Sequence, residues 1–322
     1  MYKVIMAPTQ GSDSERAAIS VAVKLAQRFD ADLRLVRVET TPLVIEAVAR
    51  PPVLTITAQT LLDERLARLH KLETLGTECR ALGEIRVMTT LEDGPVAPTL
   101  RDYAENFSVD LIVMSSHSRG GVKRITLGSV TDYLIRHTNI PVLVVKPPVS
   151  FIGATPEETF SRILVPLDGS ALALQILPEV AALASRLNAT LNLLQVLTPV
   201  TYSQKEIMQP GLPWWDTDIA TANAYLDRCV SYLAEEGLTV SKDVVLSNDI
   251  ATAILDYSAR TSADLIAVAT SGSGGMSRFL FGTVADEITR KSLTSLLVFH
   301  PKRSAVTDER PGRSKAQALA GA

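Results

Sequence analysis

The chain has 322 residues, 46% of them hydrophobic, and a formal net charge of −3. That length accommodates two domains of ordinary size, each with its own core, and so balanced a charge gives no global field to draw the chain to nucleic acid or to an anionic membrane. No uncharged apolar run reaches the ~18 residues that a bilayer span needs, and the 2 cysteines, Cys79 and Cys229, fall in different halves, which suits a reducing compartment rather than a disulfide framework.

The opening MYKVIMAP enters a strand directly, without a basic leader or a long apolar stretch, so a cytoplasmic location is expected. Lys3–Ala7 is a short apolar run broken by Pro8 and Gly11. Ser12–Phe29 carries apolar rows at helical spacing (Ala17, Val21, Leu25 and Ala18, Ala22, Ala26), with Ser12 or Asp13 as N-cap. Asp32–Val38 reads as the second strand, followed by a loop containing Pro51 and Pro52 and a long helix over Thr57–Leu82. Glu84–Thr89, Val96–Asn106 and Leu111–Ser115 read as strand, helix and strand; a loop rich in Ser, Gly and basic residues then leads to a helix over Ser129–His137 and a strand over Pro141–Lys146. The second half predicts strands near 162–167, 190–197, 240–246, 264–269 and 295–299, and helices near 171–187, 217–236, 249–261 and 283–292.

The two halves are one text written twice. DLIVMSSHSRGGVKRITLGSVTDYLIRHTNIPVLVV (110–145) aligns with DLIAVATSGSGGMSRFLFGTVADEITRKSLTSLLVF (264–299), with Asp110 opposite Asp264, Gly128 opposite Gly282 and Thr131 opposite Ala285. KVIMAPTQGS from Lys3 likewise pairs with RILVPLDGS from Arg162. A repeat this long is a domain. The expected organisation is a domain over 1–148, a linker over 149–160, a second domain over 161–302 and a disordered tail over 303–322. Strands alternating with helices, the strands being near-continuous apolar runs, predict an α/β fold of two doubly wound domains. Ligands of such sheets bind beyond the carboxyl ends of the strands, where strand order reverses.

After the fourth strand of each half comes a small-residue loop, then a glycine and a hydroxyl residue opening a helix: Ala269 to Gly272, nine residues, then Gly282 and Thr283; and Ser115 to Ser118, nine residues, then Gly128 and Ser129. Glycine lets backbone N–H groups approach an anion, and a helix N-terminus supplies orphan donors and partial positive charge. On these residues the chain resembles the universal stress protein family across both halves, about 1–147 and 160–301. The resemblance implies a five-stranded parallel sheet of order 3-2-1-4-5 in each half and a nucleotide signature Gly-x2-Gly-x9-Gly-Ser/Thr with an acidic residue ending strand one. It also implies binding of ATP or a related adenine nucleotide, with or without Mg2+, and a role in stress response.

Carried over, the signature places Asp168, Val196, Val268, Ala269, Gly272, Gly282, Thr283 and Val284 in the second half, with Asp168 near adenine and ribose and Val196 at the adenine edge. In the first half it falls on Gln10, Val38, Ser115, Ser118, Gly128 and Ser129, where an amide replaces the acidic residue and serines replace both early glycines. A left-handed Ser118 would be strained by about 1–2 kcal/mol. The second half is therefore expected to be the better site and the first weak or empty.

Other features are read more plainly. Arg119, Lys123 and Arg124 form a basic cluster that fits a solvated loop face or phosphate neutralisation, whereas Arg278 stands alone in the corresponding second loop; His117 is a surface residue or a phosphate contact. The 4 histidines show no metal-ligand spacing, no P-loop is present, and the SGSGG at 271–275 lacks triad support, so no catalytic or metal residue is assigned and turnover is at most slow ATP hydrolysis. Trp214 and Trp215 either seal a loop or meet a protein partner. The apolar fifth strands, PVLVV and SLLVF, would be exposed sheet edges, and their mutual pairing would make an intramolecular pseudo-dimer, with further homodimerisation open. Two functions follow: a nucleotide-binding regulatory module, or a nucleotide-independent adaptor acting through protein partners.

Overall fold

A computed structural model describes residues 2–12, 15–40, 58–116, 127–146, 160–199, 214–270 and 282–301. Ser118 and Gly272 therefore lie outside the described residues, as do His117, Arg119, Lys123, Arg124, Arg278, most of the linker and the tail. The first half runs β1 (Val4–Pro8), α1 (Arg16–Phe29), β2 (Asp32–Glu39), α2 (Ala58–Ala81), β3 (Val87–Asp93), α3 (Val96–Asn106), β4 (Leu111–Ser115), α4 (Ser129–His137) and β5 (Val142–Val145). The second runs β6 (Arg162–Pro166), a 3-10 turn (Ala173–Ile176), α5 (Leu177–Leu187), β7 (Thr190–Leu197), α6 (Trp214–Glu235), β8 (Val240–Leu246), α7 (Ile250–Arg260), β9 (Leu265–Ala269), α8 (Thr283–Lys291) and β10 (Ser295–Phe299). None of the described helices is long and apolar enough to cross a membrane.

The chain divides into two compact units, one running to the end of β4 and taking in Gly128–Thr138, the other starting at Asn139. In the first, neighbouring strands run β3-β2-β1-β4; in the second, β5-β10-β9-β6-β7-β8. The second half taken alone is thus a 3-2-1-4-5 sheet, all its strands parallel. Helices cover both faces, so the central strands are sealed: Ile163, Leu164, Val165, Leu265, Ile266 and Ala267 have no exposed surface.

One carboxylate sets the register of each central pair. Asp110 accepts the backbone N–H groups of Lys3 (2.7 Å) and Val4 (3.0 Å). Asp264 accepts those of Ser161 (2.8 Å) and Arg162 (3.0 Å) and the Ser161 hydroxyl (2.9 Å). These contacts correct the repeat alignment: Lys3 corresponds to Ser161 rather than Arg162, one residue of slip that the similar apolar runs concealed.

Element ends differ from expectation where polar residues carry them. β3 runs to Asp93 rather than ending at Thr89, because backbone pairing with β2 continues through Glu39↔Asp93 on a sheet edge that tolerates polar side chains. α1 starts at Arg16, and its N-cap is Glu15 rather than Ser12. α6 starts at Trp214, three residues before the expected start.

The fifth strands do pair. Within the second unit β5 joins β10 antiparallel, with Leu296↔Val144, Leu297↔Leu143 and Val298↔Val142 in register, and all six side chains are buried. Each buried aliphatic chain contributes roughly 1.5–3 kcal/mol, so Leu296→Ala is expected to cost about 2–5 kcal/mol in urea unfolding. Just past β5, Lys146 donates its backbone N–H to Ser295 Oγ (3.1 Å), and its amine is buried with no hydrogen-bond partner among the described residues. Burial lowers this amine from its ordinary 10.5 to about 8. Between those values the unfolded chain holds a proton that the folded chain lacks, so stability rises with pH across that window. Lys146→Met should flatten this rise and increase stability at pH 7, as judged by urea midpoints at successive pH values.

Candidate nucleotide site

In the second half β6 lies between β7 and β9, and the chain leaves β6 and β9 for α5 and α8 respectively. This is the switch point of a doubly wound sheet, so the carboxyl ends of these strands open a crevice between diverging connections. Asp168 stands exposed two residues beyond β6. Its Oδ1 accepts the Ser170 N–H (3.0 Å) around Gly169, whose φ of 81° is the left-handed conformation that favours glycine. Ser170 Oγ in turn accepts the Ala173 N–H (3.1 Å). Val196 is half-buried near the end of β7, Val268 is buried in β9, and Ala269 ends that strand.

The loop from β9 returns at Gly282. Its N–H donates to the Thr270 carbonyl (2.8 Å), and a Cβ there would lie 3.2 Å from that same oxygen. Glycine thus suits a close approach rather than a left-handed backbone, since φ is −60°. Thr270 is fixed from two further sides: its N–H donates to the Phe299 carbonyl (2.9 Å), and its hydroxyl bonds His300 Nδ1 (3.0 Å). α8 begins at Thr283, exposed, with Val284 half-buried behind it, and no side chain among the described residues caps this helix start. The structure therefore brings Asp168, Val196, Val268, Ala269, Gly282, Thr283 and Val284 to one end of one sheet.

The first half shows the same frame with its polar groups otherwise engaged. Gly128 donates to the Ser116 carbonyl (3.3 Å), Ser115 ends β4, and Ser129 opens α4, exposed. The turn after β1, however, closes on a side chain that the sequence reading missed. Glu15 Oε2 accepts the N–H groups of Gln10 (2.8 Å), Gly11 (3.1 Å) and Ser12 (3.3 Å) and the Thr9 hydroxyl (2.9 Å). Gln10 Nε2 donates to the Val38 carbonyl (3.2 Å), while Arg37 donates to the Gln10 carbonyl (3.0 Å) and pairs with Glu39 (3.2 Å). The counterpart of Glu15 in the second half is Ala173, which is the signal that could have revealed the difference.

Comparison with known proteins gives the family of this fold. The family model described as universal stress protein family matches residues 1–146 and 159–300. The chain belongs to the universal stress protein family. A universal stress protein of Mycolicibacterium smegmatis is 25% identical over 309 residues, covering 94% of this chain and 98% of that one. A universal stress protein of Methanocaldococcus jannaschii is 32% identical over 149 residues, covering 46% of this chain and 84% of that one. Among solved structures, a universal stress protein from Archaeoglobus fulgidus matches with a TM-score of 0.62 and 16% identity, covering 92% of this chain and 96% of that one. The tandem arrangement therefore recurs in relatives of similar length.

Glu15 closes the turn that precedes α1, its carboxylate accepting three backbone N–H groups upstream of the helix. Glu15→Ala leaves those donors without their charged acceptor and is expected to cost about 1–3 kcal/mol in urea unfolding, whereas Ala173→Glu in the second half would introduce the carboxylate without the matching Thr9 hydroxyl.

Proposed function

We propose that this universal stress protein is a cytoplasmic regulatory module that binds one adenine nucleotide, ATP or a close relative, in its second half, with Mg2+ as counter-ion of the phosphates. The observation that carries this reading is the contrast between the two turns. In the first half a carboxylate of the chain holds the turn amides, and Gln10 takes up the Val38 carbonyl. In the second half Asp168 stands exposed, Ala173 replaces the Glu15 carboxylate, and Val196 has no side-chain amide of that kind bonded to it among the described residues.

The parts suit the ligand. Asp168 accepts hydroxyl donors of a ribose, the backbone at Val196 meets the edge of the base, and Thr283 with the first-turn amides of α8 receives phosphate oxygens. Gly272 belongs to the same proposed loop. No dedicated general base is assigned, so any hydrolysis is slow and the bound state itself is the signal. The first half, with Gln10, Ser115, Ser118, Gly128 and Ser129, is a frame that binds weakly or not at all. Its self-engaged turn suits the adaptor reading for that half, in which it presents surface to a protein partner.

Titration calorimetry with ATP and Mg2+ tests this. Wild-type protein should saturate one site, and the double variant Asp168→Ala/Gly282→Val should lose binding at least about 100-fold while its circular dichroism is unchanged, the two sites together supplying about 3 kcal/mol. Undiminished binding by the double variant would move the site elsewhere. A wild-type chain without affinity would leave the adaptor reading for both halves.

A further inference from the structure

Behind the Asp168–Gly169 turn, two buried polar atoms lack partners among the described residues. Gln195 is 8% exposed and Tyr225 is 7% exposed. Neither the Gln195 Oε1 nor the Tyr225 hydroxyl makes a hydrogen bond there. Natural proteins satisfy nearly all such atoms, with protein, water or ligand.

Both residues belong to elements beside the proposed site. Gln195 precedes Val196 on β7, and its Nε2 lies 3.1 Å from where a Gly169 Cβ would be. Tyr225 lies on α6, which packs against β7. Burial, then the neighbouring Cys229, then the charge of Asp168 push its hydroxyl up, so the hydroxyl feels the site carboxylate. The first half has nothing equivalent. The counterpart of Gln195 is Arg37, which is bonded to the Gln10 carbonyl and Glu39. Aligning Cys79 with Cys229 sets Leu75 opposite Tyr225.

We propose that Gln195 and Tyr225 are specificity-determining residues of the second-half site, together reading the base of a 6-aminopurine nucleotide. This rests on the adenine-nucleotide reading above. The amide oxygen accepts only, so it requires a ligand N–H, and the hydroxyl can donate to an adjacent ring nitrogen. The 6-amino group of adenine beside a ring nitrogen supplies that donor–acceptor pair, whereas a 6-oxopurine presents an acceptor where the amino group stood. A buried acceptor facing a second acceptor is left unpaired, which is the strong form of discrimination.

The test is calorimetric titration of the full chain with ATP and with inosine triphosphate, which differs at the six-position. Wild type should bind ATP at least about tenfold more tightly than inosine triphosphate. Gln195→Leu and the near-isosteric Tyr225→Phe should each weaken ATP about tenfold and erase most of that preference. Without nucleotide, both variants should melt no lower than wild type, because each removes an unpartnered buried polar atom. Variants that bind both nucleotides as wild type does, or that melt lower with ATP affinity unchanged, would assign the two atoms to structural water and overturn the proposal. A wild-type chain that binds neither nucleotide would overturn the underlying reading, and this one with it.

Discussion

The candidate site depends on the pinning of a central parallel strand to its neighbour by one carboxylate. Asp264 receives the first amides of β6, so β6 and β9 enter the sheet in fixed register and leave it with their carboxyl ends level. Everything at the site follows from that levelness. The turn holding Asp168 and the bend at Thr270, which receives Gly282, emerge side by side because the strands beneath them cannot slide. A parallel sheet buried on both faces tolerates no slip, since one residue would turn every side chain over. Asp110 performs the same task in the first half, and the two frames are accordingly alike.

Alike frames carrying different turns are the basis of the proposal that one half keeps a ligand site while the other closes. Replacing an acidic residue by Gln10 would by itself only weaken a ribose contact. With Glu15 in place, the turn amides already have an anion, and Arg37 and Glu39 are bonded alongside. An external phosphate or base would have to displace these contacts within the chain. The second half has Ala173 and Gln195 at those positions, so its rim leaves polar atoms for something else to satisfy. Duplication thus yields two halves that need not share a role.

Much of this was legible in the sequence. The strands announced themselves as continuous apolar runs, the repeat marked the two halves, although the compact units divide so that β5 falls in the second, and the uncharged fifth strands foretold their pairing. The signature positions Asp168, Gly282 and Thr283 that the resemblance implied lie in the connections that leave β6 and β9. What was not legible depended on contacts between residues with no periodic or motif signal. Glu15 looks like one more polar residue at a helix start, and only the fold shows its carboxylate receiving three successive amides. Gln195 and Tyr225 read as strand and helix residues on half-polar faces, and their burial appears only when α6 lies against β7. Polar edge strands likewise hid the full length of β3, because Thr90, Glu92 and Asp93 carry no apolar alternation.

The central claim is that one half holds nucleotide and the other holds itself. The direct measurement is to denature freshly purified full-length chain and to quantify what it releases, by chromatography with mass spectrometry, against protein concentration. About one adenine nucleotide per chain, after saturation with ATP and Mg2+ and removal of excess, is the predicted result. Two per chain would show that Glu15 and Gln10 do not close the first half, and none would show that the second half is no nucleotide site.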